Sequence, residues 1–166
     1  MELDPPDAGP FRLLFVCTGN TCRSPMAEAI ARYHLEQRGW SQVEVASAGV
    51  AAFPGSPASE GAVRAAAVRG LDITDHASAP LTSELAGEAD LILTMSASHL
   101  MRVVELGAGD RASVITSFAE GEEETLDLTG VPDPIGGPDE EYLATFDVLE
   151  ELVERALERI APLVKP

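Results

Sequence analysis

A three-layer α/β sandwich, with a four-stranded parallel sheet and helices on both faces, is predicted by three observations. Short apolar runs of strand length alternate with longer segments of helical periodicity. The runs Phe11 to Val16 and Leu91 to Leu93 are almost wholly apolar, as strands covered on both faces require. The connections are short, and they carry serine, proline or glycine where a helix should begin or end.

The first strand, with Phe11, Leu13, Leu14, Phe15 and Val16, ends at Cys17. Gly19 and Asn20 tolerate unusual backbone angles, and Ser24-Pro25 reads as the N-cap and first position of a helix. Met26, Ala29, Ile30 and Tyr33 repeat at helical spacing, Glu28, Arg32 and Glu36 are carried on the outer face, and Gly39 closes the helix. Val43 to Ala46 forms the second strand, followed by Ser47-Ala48-Gly49 and a loop broken at Pro54. Ser56-Pro57 opens an alanine-rich helix that carries Val63 and Val68 and runs to Gly70.

Thr82 caps a short helical turn ahead of the third strand, Leu91 to Leu93. Ser96 caps a helix that packs Leu100, Val103 and Val104 and ends at Gly107. Val114 and Ile115 mark the fourth strand. From Phe118 to Pro134 a long segment holds Glu122, Glu123 and Glu124 and little to bury, which in a compact domain signals function or mobility. Pro138 starts the last helix, with Asp139, Glu140 and Glu141 where the helix dipole favours them. Its inner stripe is Phe146, Leu149, Val153, Ala156 and Ile160.

A chain of 166 residues suits one domain, expected over residues 11–166, with the acidic, proline-rich residues 1–10 as a flexible arm. A net charge of −17 repels polyanions, so neither nucleic acid nor an anionic membrane is an expected partner. Cys17 and Cys22 are too close together to staple a fold, and no long apolar span precedes them, so a reducing cytoplasm is expected; the chain is expected to be a monomer. His34, His76 and His99 lack ligand spacing, so no metal and no cofactor are expected.

A strand that runs through a glycine turn into a helix aims several backbone N–H groups, and the positive end of the helix dipole, at one point. That cradle fits a phosphate, and it is formed here by Thr18, Gly19, Asn20, Thr21, Cys22, Arg23 and Ser24. Cys17 and Arg23 bracket it. Five residues separate them, which lets the guanidinium fold back and grip two oxygens while sulfur faces phosphorus. Helix terminus, guanidinium and the Ser24 hydroxyl all favour negative charge on sulfur, the form that attacks.

The stretch CTGNTCRSP, with the later Asp133-Pro134, resembles the low-molecular-weight protein phosphatases, from about Phe11 to the last helix. Within that family it resembles most the bacterial protein-arginine phosphatase branch, chiefly through Thr21. The resemblance implies a phosphorylated protein substrate and a phosphocysteine intermediate on Cys17, with Asp133 as general acid and base. It also implies that Asn20, Ser47 and His76 support the phosphate loop through mutual hydrogen bonds. Thr21 and Ile135 are the substrate-selecting residues. In tyrosine-directed relatives a larger aliphatic residue stands at the Thr21 position and aromatics follow the Asp-Pro, whereas this chain has Thr21 and Ile135-Gly136. Phosphoarginine is therefore the expected substrate, and a protein-tyrosine phosphatase is the alternative. An arsenate reductase, which relays oxidation through further cysteines, is the alternative of another class; Cys22 is the one further cysteine here.

Overall fold

The computed structural model describes residues 9–121 and 128–164. Most of the expected arm, the Glu122 to Glu124 run and Lys165 lie outside the described residues. The elements are β1 Phe11–Cys17, α1 Arg23–Arg38, β2 Val43–Gly49, α2 Glu60–Val68, α3 Ser83–Glu88, β3 Leu91–Thr94, α4 Ala97–Glu105, β4 Ala112–Val114, α5 Ile115–Glu120 and α6 Asp139–Val164. The four strands pair in parallel in the order β2-β1-β3-β4, which makes β1 a central strand.

Successive β1 side chains point to opposite faces, so the strand feeds two cores. Leu13, Phe15 and Cys17 pack with Met26 and Ile30 of α1, Ala62 of α2, Ile115 of α5 and the α6 stripe. Leu14 and Val16 face the other way, toward Ala86 of α3 and Val103 of α4. This is the predicted three-layer arrangement. On α6, Phe146, Leu149, Val153 and Ile160 are each fully buried. Side chains of this kind contribute about 1.5–3 kcal/mol apiece, so the last helix anchors the side of the sheet on which the phosphate loop opens.

Several local expectations are corrected. Helix α1 begins at Arg23, and Cys22, its N-cap, offers no side-chain bond. Ser24 does not cap because its hydroxyl is engaged by Asn20 Nδ2 at 2.7 Å and by Cys17 Sγ at 2.9 Å. Helix α2 begins at Glu60 under a Ser59 cap, rather than at Ser56-Pro57. Residues 55–59 stay outside the helix because they are bound across the loop, with Gly55 N donating to Ser78 O and Ser59 N to Thr21 O, both at 2.8 Å. Ile115 starts α5 instead of ending a strand; a two-residue apolar run does not distinguish the two. On α4 Val104 is exposed, and His99 lies on the inner face at 2% exposure. Glu28, expected outward, turns in to accept from Ser47 Oγ at 2.6 Å.

Strand β2 runs past Ala46 to Gly49, because Ser47, Ala48 and Gly49 pair with Phe15, Val16 and Cys17. The pairing delivers Ser47 to the site and sets Gly49 beneath the loop, where a Cβ would lie 2.5 Å from the Thr18 carbonyl oxygen.

Candidate active site

The site lies at the carboxyl end of the sheet, where β1 gives way to the loop 18–22. Asn20, with φ of 58°, is the one non-glycine residue in the left-handed region among the described residues. A fully buried asparagine in that conformation is tolerated because its side-chain amide and its carbonyl are bound. Its Oδ1 accepts from Ala79 N at 2.9 Å, and its carbonyl accepts from His76 Nε2 at 2.7 Å. Its Nδ2 donates to Ser24 Oγ at 2.7 Å and to Ser47 Oγ at 2.9 Å.

Those two donations orient both serine hydroxyls. Each serine already accepts from Asn20, so each has its own hydrogen to give elsewhere. Ser47 gives it to Glu28 Oε1 at 2.6 Å, and Ser24 Oγ lies 2.9 Å from Cys17 Sγ, to which it can donate when the sulfur is a thiolate. The sulfur is buried, with the residue 2% exposed, and it faces a hydrogen-bond donor.

Arg23 is bound from several sides. Nη1 donates to the Val131 carbonyl at 2.9 Å, while Nη2 lies 3.3 Å from Asp133 Oδ2 and 3.4 Å from Thr18 Oγ1. Its Nε is buried and has no partner among the described residues. Nε and Nη2 form one edge of the guanidinium, the edge that grips two oxygens of an oxyanion. The carboxylate is itself oriented, since Asp133 Oδ1 accepts from Ile135 N at 3.1 Å. Behind it, Val131 N donates to Met95 O at 2.8 Å, which ties the Asp133 loop to the end of β3. Gly130, with φ of 77°, is required there because a Cβ would run into the Met95 carbonyl.

The structure thus brings together Cys17, Arg23, Ser24 and Asp133, with Asn20, Ser47 and His76 behind the loop. Thr21 is half-buried on the loop, and Ile135 stands exposed after Asp133-Pro134. Cys22 is buried on the far side, 3.2 Å from Ser59 Oγ and 3.8 Å from the Tyr142 hydroxyl. Burial pushes the Tyr142 phenol up. Two participants are not among the site residues the sequence predicts. One is Tyr142, whose ring packs against Gly61. The other is His99, whose Nε2 lies 2.8 Å from Thr18 Oγ1. Burial first, and then the Arg23 charge, push His99 down to about 4, with Asp133 pulling the other way. Its signal in the sequence is a histidine three residues after the Ser96 cap, four before Val103, and so on the inner stripe of α4.

The model for the low molecular weight phosphotyrosine protein phosphatase family matches residues 12–164. A protein-arginine-phosphatase of Geobacillus stearothermophilus is 40% identical over 153 residues, covering 91% of this chain and 97% of the relative. A probable low molecular weight protein-tyrosine-phosphatase, EpsP of Ralstonia nicotianae, is 35% identical over 153 residues, covering 92% and 95%. Among solved structures, the YwlE arginine phosphatase from Geobacillus stearothermophilus superposes with a TM-score of 0.81 at 39% identity, covering 93% of this chain and 95% of that one. With a buried thiol, a poised guanidinium edge and an oriented carboxylate at one loop, this chain belongs to the low molecular weight phosphotyrosine protein phosphatase family and is a phosphatase.

Proposed function

We propose that this phosphatase hydrolyses phosphoarginine on proteins through a phosphocysteine intermediate. The observation that carries the reading is the clasp between Arg23 and Asp133, 3.3 Å apart at the mouth of the loop that holds Cys17. It supports a reading in which Asp133 is the general acid and Arg23, beside it, binds the phosphoryl oxygens. Three features favour an arginine substrate. Thr21 is a small polar wall, Ile135-Gly136 supplies no aromatic clamp, and a carboxylate pairs well with a guanidinium. Similarity at 40% identity to a protein named for this activity adds support.

In the first step the Cys17 thiolate attacks phosphorus, the P–N bond breaks, and protonated Asp133 gives its proton to the departing guanidine nitrogen. Arg23 and the loop N–H groups bind the equatorial oxygens, where charge is spread in the transition state. In the second step water attacks phosphorus and loses a proton to the Asp133 carboxylate. The P–S bond breaks, and inorganic phosphate and the thiolate are released. Ser24, which donates to sulfur, stabilises that leaving thiolate.

The enzyme works as a single unit from residue 11, as a monomer, in a reducing compartment that keeps Cys17 and Cys22 as the free thiols they are here. A tyrosine-directed activity is the second reading. It is favoured by Phe53, 80% exposed, on a loop bound to the phosphate loop through Ala51 N and Thr18 O at 2.9 Å.

The deciding experiment compares a phosphoarginine protein with a phosphotyrosine peptide, with Cys17→Ala as control for contaminating activity. Faster hydrolysis of phosphoarginine, with the preference reversed in Thr21→Ile, is the expected result. Equal or opposite rates in the parent remove the arginine assignment.

A further inference from the structure

Thr18 is exposed on the phosphate loop, yet its hydroxyl bridges two buried side chains. Arg23 Nη2 reaches Thr18 Oγ1 at 3.4 Å, and His99 Nε2 reaches the same oxygen at 2.8 Å. A guanidinium only donates, so the threonine oxygen accepts from Arg23 and its single hydrogen is available for His99. With that hydrogen given to Nε2, the imidazole carries its proton on Nδ1, where Ser96 Oγ lies at 3.0 Å. Arg23 fixes the direction of the first bond, and a neutral His99 with its proton on Nδ1 completes the chain in the same sense.

We propose that His99 is a positioning residue for phosphoryl transfer, acting as a neutral acceptor that turns the Thr18 hydroxyl so that its oxygen holds the Nη2 corner of Arg23. This rests on the phosphatase reading of the loop. Arg23 presents two donors on its working edge, and Nε has no other partner among the described residues. The orientation of that edge is therefore fixed by what holds Nη1 and Nη2. Val131 O holds the first; Thr18 and Asp133 hold the second. The carboxylate is the acid of the proposed reaction and has a proton to deliver, which leaves Thr18 as the constant support.

An imidazolium would place an N–H where the acceptor belongs and a second positive charge beside Arg23. The charged groups facing His99 are Arg23 and Asp133, and burial with the Arg23 charge favours the neutral ring. Ser96 completes the support: it accepts from His99 N as the α4 cap and lies 2.9 Å from Ser98 Oγ. The end of α4 is thereby connected to the reacting centre through three side chains.

The test measures kcat and KM with 4-nitrophenyl phosphate for the parent, Thr18→Val, His99→Ala, His99→Gln and the Thr18→Val/His99→Ala pair. Thr18→Val and His99→Ala should each lose about tenfold in kcat/KM, carried mainly by kcat, as for one hydrogen bond to a charged group. The pair should be no slower than the worse single variant, because the two residues act through one oxygen. His99→Gln, whose Oε1 can occupy the Nε2 position, should recover to within about threefold of the parent. Losses that multiply in the pair, or a fully active Thr18→Val, overturn the proposal. Thr18 is at the surface, so Thr18→Val decides the matter even where His99→Ala does not fold. Nitrogen NMR of His99 gives an independent reading, and a proton on Nε2 rather than Nδ1 also overturns it. A Cys17→Ala protein with parental turnover would instead remove the phosphatase chemistry beneath it, so the two failures are distinguishable.

Discussion

Gly49 sits opposite Cys17 in the β1–β2 register, directly under the peptide between Thr18 and Gly19. A Cβ there would lie 2.5 Å from Thr18 O and 2.9 Å from Asn20 N. Both are backbone atoms of the loop, so neither can yield without distorting the cradle. We expect Gly49→Ala to cost about 2 kcal/mol in stability, as overpacking does. Moving the loop should cost about a hundredfold in kcat/KM. Urea unfolding and 4-nitrophenyl phosphate turnover measure the two effects, and an alanine variant with parental activity would show that the loop is not held from below.

Asp133→Asn separates folding from chemistry. The amide oxygen can still accept from Ile135 N, which the carboxylate does at 3.1 Å, so the turn should survive. Removing the proton donor should lower kcat on a phosphoarginine protein by about a hundredfold or more. The loss should be smaller on 4-nitrophenyl phosphate, whose leaving group needs little protonation. Equal losses on both substrates would place the acid elsewhere.

His99 sets a pH dependence of stability. Its folded value, about 4, lies below the ordinary histidine value of 6.5. The unfolded chain therefore binds the proton first as pH falls. The contribution of the neutral ring is complete above 6.5, is lost progressively toward 4, and levels off below that. A shift of this size is worth about 3 kcal/mol in total. The difference in unfolding free energy between parent and His99→Gln should therefore change between pH 7 and pH 4, to the disadvantage of the parent. A flat difference across that window would show that the ring is not depressed.

Much of the architecture is legible in the sequence, because period and punctuation report it directly. The α6 stripe of Phe146, Leu149, Val153, Ala156 and Ile160 is buried throughout, and Gly39, Thr82 and Ser96 mark helix ends as such residues do. Ser24 is less legible, because serine caps helices and also donates to sulfur. Only the placement of Asn20 Nδ2 and Cys17 Sγ selects the second use. Ser56-Pro57 carries a helix-start signal that is overridden by bonds from residues 55–59 to Thr21 and Ser78. His99 and Val131 reach the site from positions distant in the chain, and no local pattern encodes a contact such as Arg23 Nη1 with Val131 O across 108 residues. For the same reason CTGNTCRSP, a contiguous stretch, reveals the cradle but not what steadies its arginine.

The clasp at the mouth of the loop bears on how the resting enzyme manages its charge. Arg23 Nη2 already serves Thr18 and Asp133, so an arriving phosphoryl oxygen exchanges with the carboxylate instead of joining it. Without substrate, the positive edge is neutralised internally, inside a molecule that is strongly acidic overall. When substrate docks, the same exchange frees the Asp133 carboxylate from Arg23 Nη2, so that in the proposed reaction it is the arrival of the phosphoryl group that makes Asp133 available to the departing nitrogen.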